Sequence, residues 1–109
     1  WYTQRAMDEW AYYVQALANF KEGDGSLLDN SLIYATTDQS YAKIHSIEGL
    51  PMFTAGNAGG LVKTGMHIDG AGDKACRLGY TLQRLFGLEI DAWGSKSNRT
   101  SSEIREIIA

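Results

Sequence analysis

Cysteine is nearly absent. Cys76 is the only one in 109 residues, so no internal disulfide can form, and a structural zinc site built on several thiolates is excluded. Long apolar runs are missing too. None approaches the roughly 20 residues that a membrane-spanning helix needs. Positive charge is short and scattered, with ten Lys and Arg against thirteen Asp and Glu and a formal net charge of −3. The basic stripe that marks a nucleic-acid-binding face is therefore not there, and no nucleic-acid partner is expected. No leader of the secretory type opens the chain, because Trp1 leads directly into a mixed polar and aromatic segment. An initiator methionine is also lacking, so the chain reads as processed, trimmed or a fragment.

What is present belongs to one small folded domain. The length suits one domain and not two. An apolar fraction of 44% beside 21% charged residues is ordinary for a globular chain and argues against disorder.

Residues 2–22 carry apolar side chains at Ala6, Met7, Trp10, Tyr13, Val14, Leu17 and Phe20. That alternation of three and four predicts an amphipathic helix. Thr3 is the expected N-cap, and Lys21 and Gly23 are the expected C-terminal signals. Trp10, Tyr12 and Tyr13 are read as core packing, with an aromatic ligand platform as the competing reading. The acidic and glycine-rich loop 22–26 lacks the ligand spacing of an EF-hand.

Ser31–Thr36 (SLIYAT) is a near-continuous apolar run, which predicts a strand buried on both faces as in a parallel sheet. Residues 37–49 form a polar loop. Residues 50–55 predict a second strand, with the single proline, Pro51, near its start. A glycine turn follows at 56–60, then a short extended arm at 61–63. Residues 74–86 predict a second helix, with Ala75, Leu78, Gly79, Leu82, Leu85 and Phe86 on its inner stripe, Asp73 as N-cap and Gly87 as C′. A last short helix is expected over about 102–108. The order helix, strand, strand, helix gives an α/β domain with a thin core. Two strands buried on both faces need more helices than this chain offers, so it reads as part of a larger sheet, completed by further sequence or by an oligomeric partner.

Asp38 and His45 are the sharpest candidate site residues. Asp38 follows the end of a strand and His45 lies in the loop after it, where ligands bind in open α/β sheets. A carboxylate and an imidazole there can share a divalent metal such as zinc, or pair as base and orienter. His67, in a later loop, is a third and weaker candidate. The bland alternative is two loop histidines making ordinary hydrogen bonds. The glycine turn is not a phosphate loop: Val62 stands where a glycine must precede the lysine, and no helix is expected to start at Thr64. No GxSxG elbow is present. Cys76, in the first turn of the second helix, is read as a small apolar packing residue in preference to a nucleophile.

The stretch LLDNSLIYATTDQSYAKIHSIEGLPMFTAGNAGGLVKTGMHI resembles the C-terminal region of a family of secreted bacterial proteins of unknown function, grouped with the alkaline phosphatase/sulfatase-like superfamily. Leu27–Asn30, His45, Leu50-Pro51, Ala55-Gly56, Gly59-Gly60, Lys63, Gly65 and His67 fit that family's pattern. The later LGYTLQRLFGLEIDAWG, with Trp93-Gly94, is similar to its closing helix and the element after it. The resemblance implies the C-terminal part of a layered α/β/α sheet, a periplasmic or secreted location, and Asp38 and His45 at metal-ligand positions. A complete enzyme of that kind would be a metal-dependent phosphoester or sulfoester hydrolase. Gln39 stands where the superfamily has a metal-binding histidine, and an amide is a poor substitute for imidazole on zinc. The other ligands and the nucleophile of the superfamily come from a preceding region of its domain. The expectation is thus a segment that does not catalyse by itself, with a non-enzymatic binding or structural module as the alternative.

Overall fold

The first helix, α1 (Tyr2–Asn19), is the longest element of the chain. It was observed in a computed structural model that describes all of residues 1–109. The helix starts two residues earlier than a Thr3 cap requires: Trp1 takes the cap position without a side-chain bond, and its carbonyl accepts from the Arg5 N–H at 3.1 Å. It also ends sooner than expected. Phe20 is extended (φ −81°, ψ 114°), and β1 (Lys21–Glu22) pairs with β2 (Gly25–Ser26) as a small antiparallel hairpin. Gly23, at φ +58°, turns that hairpin instead of capping a helix.

The two central strands form where the apolar runs place them, as β3 (Ile33–Thr36) and β4 (Met52–Ala55). They pair antiparallel, with Ile33 opposite Ala55 and Thr36 opposite Met52. The expectation of strands buried on both faces in a parallel sheet is therefore corrected. Between β3 and β4 lies only a single 3₁₀ turn, Ala42–Ile44, too short to carry the chain back across the sheet as a parallel pair needs. Along β3, half-buried Ile33 and Ala35 alternate with exposed Tyr34 and Thr36. Mixed α and β structure holds; the sheet is a pair of two-stranded ribbons.

Two turns lock together beneath this ribbon. The Gly59 N–H donates to the Asp29 carbonyl at 2.7 Å and the Ala58 N–H to the Ser31 carbonyl at 3.0 Å. Gly56 (φ +88°) passes so close to the Leu28 and Ser31 carbonyls that a Cβ would lie 2.6 Å from the first and nearer still to the second. The Asp29 carboxylate accepts from the Ser26 N–H and Oγ, both at 2.8 Å. These bonds hold its pKa below the ordinary value, the Ser26 side chain contributing most.

The second helix, α2 (Cys76–Leu85), begins at Ala75, which makes no side-chain cap. Asp73 was expected to cap it but is bonded to the Arg77 guanidinium. At the other end Gly87 behaves as expected: at φ +85° its N–H reaches the Arg84 carbonyl, and the Leu88 N–H reaches that of Gln83, the paired bonds of a Schellman ending. The expected C-terminal helix is a single 3₁₀ turn, Arg105–Ile107. The tail around it is extended because other elements take its backbone groups. Val62 and Ile108 form a β-bridge, the Lys63 N–H donates to Ile107, and Arg77 donates to the Glu103 carbonyl at 2.7 Å.

The core sits where this tail crosses α2. Ala58, Val62 and Ile107 are buried together, with Leu32, Leu78, Leu82, Leu85 and Ile104 packed around them. Thr81 is fully buried beside them. Its Oγ1 donates to the Arg77 carbonyl at 2.8 Å and accepts from the Ile104 N–H at 2.9 Å, so its polar atom is satisfied. This is all the interior there is: five of 109 residues are buried. The Cα extents are 43 × 41 × 19 Å and the radius of gyration is 15.2 Å, against about 13 Å for a domain of this length. The molecule is a slab one to two layers thick.

Candidate functional site

The polar loop between β3 and β4 is folded back on itself. Tyr41 and Ser46 form an antiparallel bridge, and the Ser40 N–H donates to the Ser46 carbonyl at 2.8 Å. A 3₁₀ turn over Ala42–Ile44 closes the tip and ends at His45, whose φ of +53° is left-handed. Histidine tolerates that region better than most residues. The conformation returns the imidazole toward the start of the loop, where Nδ1 lies 2.8 Å from the Gln39 amide nitrogen.

This contact decides what His45 can do. Whichever way the Gln39 amide is turned, Nδ1 is occupied and only Nε2 is open. With the amide NH₂ toward the ring, the proton sits on Nε2 and the histidine is a donor there. With the amide oxygen toward the ring, Nδ1 carries the proton and Nε2 keeps its lone pair, the state a metal-binding or basic histidine needs. From the sequence Gln39 is a residue at a ligand position. In the structure it holds the other candidate ligand.

Asp38 is exposed in the same loop, at the strand end where it was expected. Its neighbours fix the backbone around it: Thr36 Oγ1 donates to the Pro51 carbonyl at 2.9 Å and Thr37 Oγ1 to the Gln39 carbonyl at 2.8 Å. His67 is exposed in the loop after the extended arm and does not join them. No three side chains among His, Cys, Asp and Glu converge anywhere in the molecule. A catalytic zinc centre wants three protein ligands. The donor set here, one carboxylate and one imidazole held by an amide, falls short of that requirement, and no metal-dependent step is derived from it.

Beside the loop lies a groove of about 570 Å³ that sequence reading missed. It runs between the β3–β4 ribbon and α2, and its lining is mainly apolar, with Tyr34, Leu50, Met52, Leu78, Leu82 and Trp93 prominent. Thr36 and Thr37 line it as well, which sets Asp38 next to the groove along the chain. The Trp93 ring lies over the face of α2 at Gly79, so closely that any Cβ there would overlap it. A glycine inside a helical apolar stripe is the sequence signal that announces such an approach. The Trp93–Thr100 bridge, bonded both ways at 2.9 Å, fixes the indole's backbone. On the outer side of α2, Arg84 donates to Glu103 at 2.8 Å and to the Ile90 carbonyl at 3.1 Å. The Glu103 bond, with Tyr80 beside it, raises the guanidinium's pKa, so this latch stays charged.

No helix is long and apolar enough to cross a membrane. Compared with protein-family profiles, with curated proteins and with solved structures, the chain finds no match in any of the three.

Proposed function

We propose that this chain is a non-catalytic, structural segment of an alkaline-phosphatase/sulfatase-like α/β unit, periplasmic or secreted, whose core is finished by polypeptide outside these 109 residues. The motif Leu27–Asn30 with the turn 56–60 supports the likeness to that superfamily. The observation that carries the reading of an unfinished core is surface area. The chain exposes 8005 Å², whereas a folded monomer of its mass exposes about 6,000 Å². A surplus of about 2,000 Å² per chain is of the size that obligate assemblies bury. In this reading the Asp38–Gln39–His45 loop is half of a site, and the remaining ligands and the nucleophile belong to the missing half.

Three measurements on the purified chain test the proposal. Binding of a hydrophobic-surface dye should be strong, and a protein that excludes the dye would remove the unfinished core. With p-nitrophenyl phosphate and p-nitrophenyl sulfate, with and without added zinc, no turnover is expected. Turnover that disappears in Asp38→Ala or His45→Ala would overturn the non-catalytic assignment. Zinc should bind this chain only weakly, through two ligands, and more weakly still in Asp38→Ala and His45→Ala; zinc binding indifferent to both variants sinks the half-site.

A further inference from the structure

Two aspartates in the chain are followed directly by glycine, Asp24-Gly25 and Asp69-Gly70. An Asp-Gly link is the one at which an aspartate rearranges most readily, because the glycine carries no side chain to keep its nitrogen away from the carboxyl carbon. By sequence the two links are equal. The fold makes them different.

Asp24 sits in the turn of the first hairpin, and Gly25 is a strand residue paired with Glu22 across it. The Asp29 carboxylate, bonded to the Ser26 N–H, lies beside Gly25, where a Cβ would come 2.9 Å from its Oδ2. Gly25 therefore cannot swing toward the Asp24 side chain until the hairpin opens, and a fixed negative charge opposes the loss of its amide proton. Asp69 and Gly70 belong to no helix or strand, and both are exposed. The Gly70 N–H donates to no group in the molecule, and the space beside its Cα is open. The Asp69 carboxylate is folded forward. Its Oδ1 accepts from the Ala71 N–H at 2.9 Å, which lays the carboxyl group along the peptide that joins Asp69 to Gly70. Ala71 is then held at φ +37°, a region costly to a residue with a Cβ. One more backbone atom at this point gives the turn a freedom it lacks.

We propose that Asp69 is a site of spontaneous backbone modification, where the link to Gly70 converts to an isoaspartyl link. The Gly70 nitrogen bonds to Asp69 Cγ, its proton passes to solvent, and the carboxyl hydroxyl leaves as water. The product is a cyclic succinimide. Water then adds to one of its two carbonyls. Opening at the main-chain carbonyl leaves the chain running through Cβ and Cγ, with a free carboxylate on Cα; opening at Cγ restores aspartate. Nothing is oxidised or reduced, and the water lost in the first step is regained in the second. The inserted atom falls just before the turn that leads into α2, in which the Asp73 N–H donates to the Gly70 carbonyl at 2.6 Å. The assignment depends neither on the superfamily likeness nor on the unfinished core.

The purified chain, aged at neutral pH and physiological temperature, provides the test. Isoaspartate is counted by enzymatic methyl transfer from labelled S-adenosylmethionine, and trypsin separates the two sites into peptides 64–74 and 22–43. Label in 64–74 should exceed that in 22–43 about two- to tenfold, the factor that opening one hairpin hydrogen bond imposes. In urea, where both links lie in an open chain, the two peptides should label nearly alike. Gly70→Val should suppress the label in 64–74 with the circular dichroism unchanged, and Asp69→Glu should abolish it. Equal labelling of the two sites in the folded chain overturns the proposal. So does a preference that persists undiminished in urea, since it would belong to the sequence and not to the fold, and so does label in 64–74 that survives Asp69→Glu, which would place the change at Asp73.

Discussion

Gly56→Ala tests the interlocked turns most sharply. Two costs add at this position. A Cβ at φ +88° meets the steric penalty of the left-handed region, of order 1–2 kcal/mol. It also meets two backbone carbonyls, of Leu28 and Ser31. Those oxygens cannot rotate away as a side chain would, and Ser31 is held by its bond from Ala58, so overpacking adds about 1–3 kcal/mol. The expected loss is about 2–5 kcal/mol, a large share of the 5–15 kcal/mol typical of a whole domain. Gly60→Ala is the matched control. Gly60 has nearly the same φ, +93°, and open space where the Cβ would go, so only the conformational cost of about 1–2 kcal/mol applies. In thermal melts followed by circular dichroism, Gly60→Ala should lower the midpoint by several degrees. Gly56→Ala should lower it at least twice as far, or leave no cooperative transition. Equal shifts for the two variants would refute the close approach of the two turns, and with it the account of how the Leu27–Asn30 motif is held.

Three further outcomes follow from the geometry. Thr81→Val keeps the volume but leaves the Ile104 N–H without its buried acceptor, and should cost about 1–3 kcal/mol in urea unfolding. Gly79→Ala should destabilise the native chain, because the new methyl meets the Trp93 ring; in a Trp93→Ala background the same change should stabilise by up to ~1 kcal/mol, as an ordinary glycine-to-alanine helix substitution does. That reversal of sign is readable in a double-mutant cycle. Asp29 has a depressed pKa in the folded chain, so its contribution is complete above the unfolded carboxylate value near 3.9 and fades as pH falls through the folded one. Melts between pH 5 and pH 2 should show a shallower loss of stability for Asp29→Asn than for the native chain, and parallel slopes would remove the Ser26–Asp29 cap from the account.

Some of the molecule was legible from local chemistry. The three-and-four spacing of α1 and α2, the apolar runs of β3 and β4 and the Gly87 stop are each decided within a few residues, where propensity, capping and periodicity act. The placement of Asp38 and His45 in one loop after a strand was legible for the same reason. What failed were the features decided by competition for a group. Asp73 looked like a cap until Arg77, one helical turn on, claimed it, and residues 102–108 looked helical until the tail's backbone was taken by the distant Val62, Lys63 and Arg77. The run SLIYAT looked buried on both faces because composition cannot tell a missing neighbour from a solvated face.

The sequence by itself determined the two α-helices and the two central strands, the absence of an internal disulfide, the candidate carboxylate and imidazole, and the apolar stripe of α1. The tertiary structure decided that the ribbon is antiparallel, that Trp93 closes a groove over Gly79, and that Gln39 is the residue that orients His45. The physical reason is range. Hydrogen bonds and periodicity within one turn of chain are written in neighbouring residues, whereas strand register and the close approach of Trp93 to Gly79 are settled only when segments farther apart in the chain meet, and the Gln39–His45 contact only when their loop folds back on itself.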